Sequence, residues 1–149
     1  MTSLYIHIPF CIKKCKYCDF VSYAGCEELF DAYIECLCNE MQQYRGERIA
    51  TVFIGGGTPS LLSASQAGRL LEAVGNAFCV EPQAEFSIEC NPGSLDGEKL
   101  RVYRDHGVNR ISIGLQSASA AELKLLGRSH SYEQFLQAYA LARRAFDNI

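Results

Sequence analysis

The sequence predicts an α/β domain, a parallel sheet with crossover helices built from four βα units. Three observations predict it. Strand-type and helix-type stretches alternate four times along the 149 residues. Each strand is followed by a helical stretch, the crossover that parallel pairing requires. Every glycine- or motif-rich stretch sits directly after a strand: Pro9–Phe20, Gly55–Pro59, Cys90–Pro92 and Gly114–Ser117. In barrels and open α/β sheets alike, that is the edge where active sites are built.

The elements follow in order. Leu4–Ile8 alternates and is β-rich, as are Thr51–Ile54, Glu85–Glu89 and Arg110–Ile113. The first helix is expected over Glu28–Tyr44, with Phe30, Tyr33, Ile34, Leu37, Met41 and Tyr44 along one face. A second, Ser65–Phe78, buries Leu70, Leu71, Val74 and Phe78. A third, Asp96–His106, stops at Gly107, a residue suited to the left-handed position after a helix. Ser119 with Glu122 reads as a capping box for a short helix ended by Gly127. Ser131 with Gln134 caps the next, whose inner face carries Phe135, Ala138, Leu141, Ala142 and Phe146. Asp147-Asn148-Ile149 reads as the start of a fifth strand. Four βα units cannot close a barrel, so the expectation is a fragment of a longer protein.

Composition narrows the function. Hydrophobic residues make up 48% and charged residues 21%, a globular balance without low-complexity stretches. A net charge of −3 gives no basic face for phosphate backbones, so nucleic acid is not expected as a partner. The apolar opening run Leu4–Ile12 is too short to span a bilayer and has neither the basic start nor the cleavage site of a signal peptide. A cytoplasmic location is expected, and in a reducing compartment the eight cysteines point to metal binding more than to disulfides.

Three of those cysteines carry the chemistry. Cys11, Cys15 and Cys18 stand at C-x3-C-x2-C spacing, which can hold three irons of a cubane 4Fe–4S cluster. Four cysteines close the cluster of an electron-transfer ferredoxin; one ligand short leaves an open iron for substrate chemistry. The alternative is a structural zinc site completed by His7 or Asp19. Cys26, Cys36, Cys38, Cys79 and Cys90 have no ligand spacing and read as small buried hydrophobes.

Gly55-Gly56-Gly57-Thr58-Pro59 lets a ligand approach the backbone, without the Lys-Ser/Thr of a P-loop. Glu89, at the third strand's end, can accept both hydroxyls of a ribose or be a solvated carboxylate. Gln116 and Arg128 flank the fourth strand's exit; Arg128 can pair with a carboxylate or be a surface arginine. Tyr5 shares a strand face with His7 and otherwise reads as a core tyrosine. An open iron wants an amine and a carboxylate, so these residues together suit S-adenosylmethionine.

These stretches resemble the radical S-adenosylmethionine enzymes, specifically the oxygen-independent coproporphyrinogen III oxidase group. The matching residues are Leu4–Cys11, Cys15–Phe20, Phe53–Leu62, Glu89–Gly93, Asn109–Ser117 and Leu126–His130. The resemblance implies that residues 1–149 are the N-terminal portion of a radical SAM core, a partial (β/α)6 barrel cut before its fifth strand. It implies that Cys11, Cys15 and Cys18 ligate the cluster and that Tyr5, Tyr17, Gly56, Gly57, Thr58, Glu89, Gln116 and Arg128 contact S-adenosylmethionine. One electron from the reduced cluster would then yield methionine and a hydrogen-abstracting 5′-deoxyadenosyl radical. The decarboxylating oxidase has a fourth cysteine where this chain has Phe20, so the pattern resembles the family's haem-chaperone branch. Implied partners are haem or a porphyrin, an electron-donor protein and a haem-accepting protein. The branch's haem-binding His-Asn motif does not occur in this sequence. The other readings kept open are oxidative decarboxylation of coproporphyrinogen III and a non-enzymatic, zinc-stapled binding domain.

Overall fold

The computed structural model describes residues 2–149; Met1 lies outside them. In chain order the strands are β1 (Thr2–Ile8), β2 (Phe10–Cys11), β3 (Tyr23–Ala24), β4 (Arg48–Gly56), β5 (Cys79–Cys90) and β6 (Arg110–Ile113). The helices are α1 (Phe30–Met41), α2 (Ala64–Ala77), α3 (Gly97–Asp105), α4 (Ala120–Leu126) and α5 (Tyr132–Ala142). The four-stranded sheet runs β1-β4-β5-β6, parallel throughout, as expected for four βα units.

Register explains the layering. Ile6 pairs with Ile54, Ile54 with Ile88 and Ile88 with Ile111, a row of isoleucines across every strand. All four are buried, and Val52 and Phe86 extend the same face one step back. That face is covered by helices: α1 packs on α2, α2 on α3 and α3 on α5. Period-2 geometry sends Tyr5, Phe53 and Glu85 to the opposite face, where Tyr5 is 53% exposed. Neighbouring strands in sequence order with helices on one face form a barrel wall; a doubly wound sheet would reverse its order and cover both faces.

The first helix comes as a 3-10 turn at Glu27–Leu29, α1 itself, and a second 3-10 turn at Gln42–Tyr44. Phe30, Ile34 and Met41 are buried as its pattern predicts, whereas Tyr44 is exposed. Leu70, Leu71, Val74 and Phe78 are all buried. Gly127 ends α4 in the left-handed region, with φ 76°. The Ser131–Gln134 capping box is complete, but the one at Ser119 is half made. There the Glu122 N–H donates to Ser119 Oγ while the Glu122 carboxylate turns away to accept from Ser117. An unforeseen capping box, Ser63 with Gln66, starts α2.

Other expectations are corrected. β5 starts six residues earlier than Glu85, because Cys79 and Val80 pair with Arg48 and Ile49 before the register shifts. Pro82 sits in that irregularity, where a residue without an N–H is tolerated. Cys36 and Cys79 are exposed, and of the five cysteines outside the motif Cys90 alone is fully buried. Asn148 makes one parallel bridge to Arg110, on the free side of β6 where a fifth strand belongs. No described helix is long and apolar enough to cross a membrane.

A buried polar brace ties two strand exits together. Ser60 is wholly buried; its Oγ accepts from the Asn91 N–H at 2.9 Å and shares a 2.6 Å bond with Ser94. Lys99 Nζ donates to the carbonyls of both Ser60 (2.9 Å) and Ser94 (2.7 Å). Ser60→Ala should therefore cost about 1–3 kcal/mol, the usual penalty for leaving buried donors unpaired. A urea midpoint unchanged from the parent would show that water replaces the hydroxyl at no cost.

Candidate functional site

The cysteine loop runs from β2 to β3, a two-residue parallel ladder that pins its ends: Phe10 pairs with Tyr23 and Cys11 with Ala24. The Tyr23 N–H donates to Pro9 O at 2.7 Å. Inside the loop, the Cys18 N–H donates to Cys15 O (3.2 Å), and the Lys16 N–H donates to Leu126 O at the end of α4 (3.0 Å). So short a ladder carries no periodicity signal in sequence.

His7 and Tyr5 hold this loop from the sheet. His7 Nε2 lies 2.8 Å from Val21 O, and a carbonyl can only accept, so Nε2 carries the proton. Nδ1 is then the acceptor for the Tyr5 hydroxyl at 2.9 Å. Both ring nitrogens are engaged, which leaves His7 none to offer as a zinc ligand. Among the described residues no three His, Cys, Asp or Glu side chains are grouped to hold a single metal ion. Tyr5 is neither the core residue its bland reading makes it nor a lining residue of the cavity described next. Burial against Phe53, with Glu89 nearby, raises its phenol above the usual tyrosine range.

The glycine turn after β4 is shaped by what faces it. Gly56 has φ +116°, and a Cβ there would stand 2.7 Å from the His7 ring. A Cβ on Gly57 would stand 2.6 Å from Phe10 O and 3.0 Å from Cys11 Sγ. The Gly56 N–H donates to Glu89 Oε2 at 3.2 Å, the Gly57 N–H to Ile8 O at 2.8 Å, and the Thr58 hydroxyl points at Cys11 Sγ from 3.6 Å.

From the far side comes Arg128. Its Nη2 donates to Gly114 O (3.1 Å), its Nη1 lies 3.6 Å from Cys15 Sγ and 3.4 Å from the Tyr17 hydroxyl, and its buried Nε has no partner. This is not the solvated surface arginine of the bland reading. Burial raises the Tyr17 phenol, with Arg128 pulling the other way. Gln116 takes the left-handed region at φ 68°, rare for a non-glycine residue. The buried ring of His130 holds that turn, its Nε2 3.1 Å from Leu115 O.

All these strand exits open on one cavity of about 260 Å³. Cys11, Cys15, Cys18, Tyr17, Gly56, Gly57, Thr58, Glu89, Gln116 and Arg128 line it, so of the residues expected to meet a cluster or S-adenosylmethionine only Tyr5 stands apart, and the zinc candidates His7 and Asp19 do not line it. Sequence reasoning missed Ser112 and Asn91, which line it too. A strand-exit position was their only signal. Cys90 also lines it, but burial pushes its thiol up to about 12, so it stays protonated and is a poor fourth thiolate. The fit to a cluster with a charged organic ligand is chemical. Three thiols on one side face a carboxylate, a guanidinium with an orphaned N–H, and a side-chain-free turn into which a ligand can press.

Burial and the Arg128 charge lower the His130 pKa below 6.5. A base depressed by folding is protonated more readily in the unfolded chain, so its stability contribution is full above pH 6.5 and is lost as pH falls through the folded value. The thermal midpoint should drop as acid is added below that point, and less steeply in His130→Gln, which keeps a donor for Leu115 O. Equal slopes in the two proteins would remove His130 as the cause.

Comparison with known proteins places this geometry. The family model described as the radical SAM superfamily matches residues 5–149. The heme chaperone HemW of Lactococcus lactis is 45% identical over 148 residues, covering 99% of this chain and 39% of the relative. The mitochondrial radical S-adenosyl methionine domain-containing protein 1 of Bos taurus is 44% identical, covering 97% and 34%. Among solved structures, coproporphyrinogen III oxidase (HemN) from Escherichia coli, a radical SAM enzyme, superposes with a TM-score of 0.86 at 31% identity. That match covers 95% of this chain and 34% of that structure's chain. The chain thus spans between a third and two fifths of the length of these relatives.

Proposed function

This chain belongs to the radical SAM superfamily, and from that premise we propose that residues 1–149 are the cluster- and cofactor-binding portion of a haem-chaperone-type protein. Cys11, Cys15 and Cys18 would hold a 4Fe–4S cluster, with S-adenosylmethionine on the open iron. One observation carries the reading: the three thiols share a single cavity with Glu89 at the end of β5, Gln116 just after β6 and Arg128 between α4 and α5.

When bound, the reduced cluster supplies the electron that cleaves the carbon–sulfur bond of S-adenosylmethionine. The chain's own residues bind and orient. Glu89 presents a carboxylate for the ribose hydroxyls, its Oε2 fixed by the Gly56 N–H. Arg128 offers its unpartnered Nε–H to a carboxylate and steadies the Cys15 side of the loop. Gly56, Gly57 and Thr58 give backbone approach, while Tyr17 and Gln116 close the pocket's flanks. Tyr5 acts through His7, which holds the loop at Val21. Cytoplasm suits three free thiols.

Haem is the proposed cargo, since the heme chaperone relatives cover nearly the whole chain. The structural likeness to coproporphyrinogen III oxidase supports a second reading, oxidative decarboxylation of a porphyrinogen. Phe20 weighs against it: it lines the cavity, 63% exposed, where the decarboxylating pattern has a cysteine.

The test is anaerobic reconstitution with iron and sulfide, then electron paramagnetic resonance of the reduced protein with and without S-adenosylmethionine. A cubane signal that shifts on adding the cofactor supports the reading. Zinc uptake with no sulfide retained would overturn it. Haem titration, followed by the Soret band, against consumption of coproporphyrinogen separates the two cargo readings.

A further inference from the structure

We infer that Lys99, with Ser60 and Ser94, is a positioning group that sets the gap between the ends of β4 and β5 in which a ribose would lie, an inference that rests on the ribose role proposed above for Glu89. The last residue pair of the β4–β5 ladder is Ile54 with Ile88. Each strand goes on pairing with its outer neighbour, β4 with β1 as far as Gly56 and β5 with β6 as far as Cys90. The two central strands thus stop pairing with each other just where Gly56, Gly57 and Thr58 on one side face Glu89 on the other. On the cavity side a single side-chain bond crosses there, from the Gly56 N–H to Glu89 Oε2 at 3.2 Å. A ribose hydroxyl would compete for that same carboxylate, so this bond cannot by itself hold the gap while a ligand is bound.

The second fastening lies behind the cavity wall. Ser60 Oγ accepts from the Asn91 N–H, and Lys99 Nζ donates to Ser60 O after β4 and to Ser94 O after β5. Ser60, Ser94 and Lys99 do not line the cavity, so they reach a ligand through the backbone they hold. Lys99 is fixed at its own end as well: its N–H donates to Asp96 Oδ1 at 2.9 Å, at the start of α3. Its side chain is only 13% exposed, and its nearest carboxylate, Asp96, stands 3.7 Å away and is 56% exposed. Taking an ammonium out of water is costly unless hydrogen bonds replace the lost hydration. What the ammonium adds over a neutral hydroxyl is three hydrogens on one small head, enough to grip carbonyls from both exits at once. A buried lysine placed there fixes a geometry, and the geometry it fixes is the spacing of Glu89 from the glycine turn.

The probe is 5′-methylthioadenosine, titrated by calorimetry against the chain without its cluster, alongside the 2′-deoxy form of the same nucleoside. The parent should bind the ribose form at least about tenfold more tightly, the usual worth of hydrogen bonds to a charged group. In Lys99→Met that preference should fall to about twofold or less, because a carboxylate at the wrong distance no longer meets both hydroxyls. Ser60→Ala keeps the ammonium but drops the Asn91 contact, so it should lose the preference too, and it decides the matter if Lys99→Met does not fold. Leu100→Ala is the control: it removes a buried side chain next along α3 and loosens the helix without touching the brace, so it should keep the preference. A ribose preference retained in Lys99→Met or Ser60→Ala overturns the inference. Its loss in Leu100→Ala does so as well, since any loosening of α3 would then have the same effect. A parent that binds both nucleosides equally, or neither, takes away the ribose role of Glu89 and this inference with it. Failure to take up a cluster bears on the proposed function alone, because the titration uses protein without one.

Discussion

Cys15→Ala is expected to lose its iron almost completely, from about four atoms per reconstituted chain to near zero. A cubane held by three thiolates has no spare ligand, so removing one leaves two points of attachment and no chelate. Cys90 cannot step in: it is buried, and its thiol is pushed up to about 12. The fold should survive. Cys15 is half-buried, and Arg128 approaches its Sγ at 3.6 Å, with Tyr17 beside it. Neighbouring backbone bonds, Lys16 N–H to Leu126 O and Tyr23 N–H to Pro9 O, hold the loop without it. Thermal stability before reconstitution should therefore change by less than about 1 kcal/mol. Cys36→Ala, at an exposed cysteine outside the motif, is the matched control and should keep its iron. A cubane signal of parental size in Cys15→Ala would remove this cysteine from the ligand set.

How much of this was legible beforehand depends on how local each signal is. Ile6, Ile54, Ile88 and Ile111 each announce a buried strand position by their neighbours alone, and the sheet follows from aligning them. Helix starts at Ser131 and ends at Gly127 are one-residue signals and stood where expected. The ladder Phe10–Cys11 with Tyr23–Ala24 is a tertiary contact across a loop, and nothing in either dipeptide marks it. The early part of β5 carries no alternation signal, because Glu81 and Pro82 sit in a sheet irregularity, with Glu81 paired to Arg48 at 2.6 Å. In the site, residue type and strand-exit position brought nearly every named candidate to one cavity. What sequence could not convey was direction. Tyr5 and His7 share a strand face, as alternation requires, yet only coordinates show that the tyrosine hydroxyl is spent on the imidazole. Arg128 presented the reverse problem, since its burial is created by Cys15 and Tyr17, more than a hundred residues earlier.

Gly57→Ala tests whether the glycine turn is there for the ligand alone or also for the cysteine loop. The added methyl would lie 2.6 Å from Phe10 O and 3.0 Å from Ile8 O, both backbone atoms, and 3.0 Å from Cys11 Sγ. Backbone cannot rotate away as a side chain can, so either the loop or β4 must move. The Gly57 N–H to Ile8 O bond at 2.8 Å ties the two together at that point, so relief on one side strains the other. Overpacking of this kind costs about 3 kcal/mol, which in a domain of this size lowers the melting temperature by roughly 6–12 °C. Cys11 is the first ligand of the proposed cluster and the nearest side chain to the new methyl, so iron loading should fall with stability. Gly75→Ala supplies the contrast: it lies inside α2 with nothing within 4 Å of a new Cβ. There the same substitution should stabilise by about 1 kcal/mol through helix propensity. Opposite signs at the two glycines would show that the turn is kept bare by the backbone facing it. If Gly57→Ala melts with the parent and loads iron normally, the Cys11 loop is free to yield, and the turn's bareness belongs to the ligand alone.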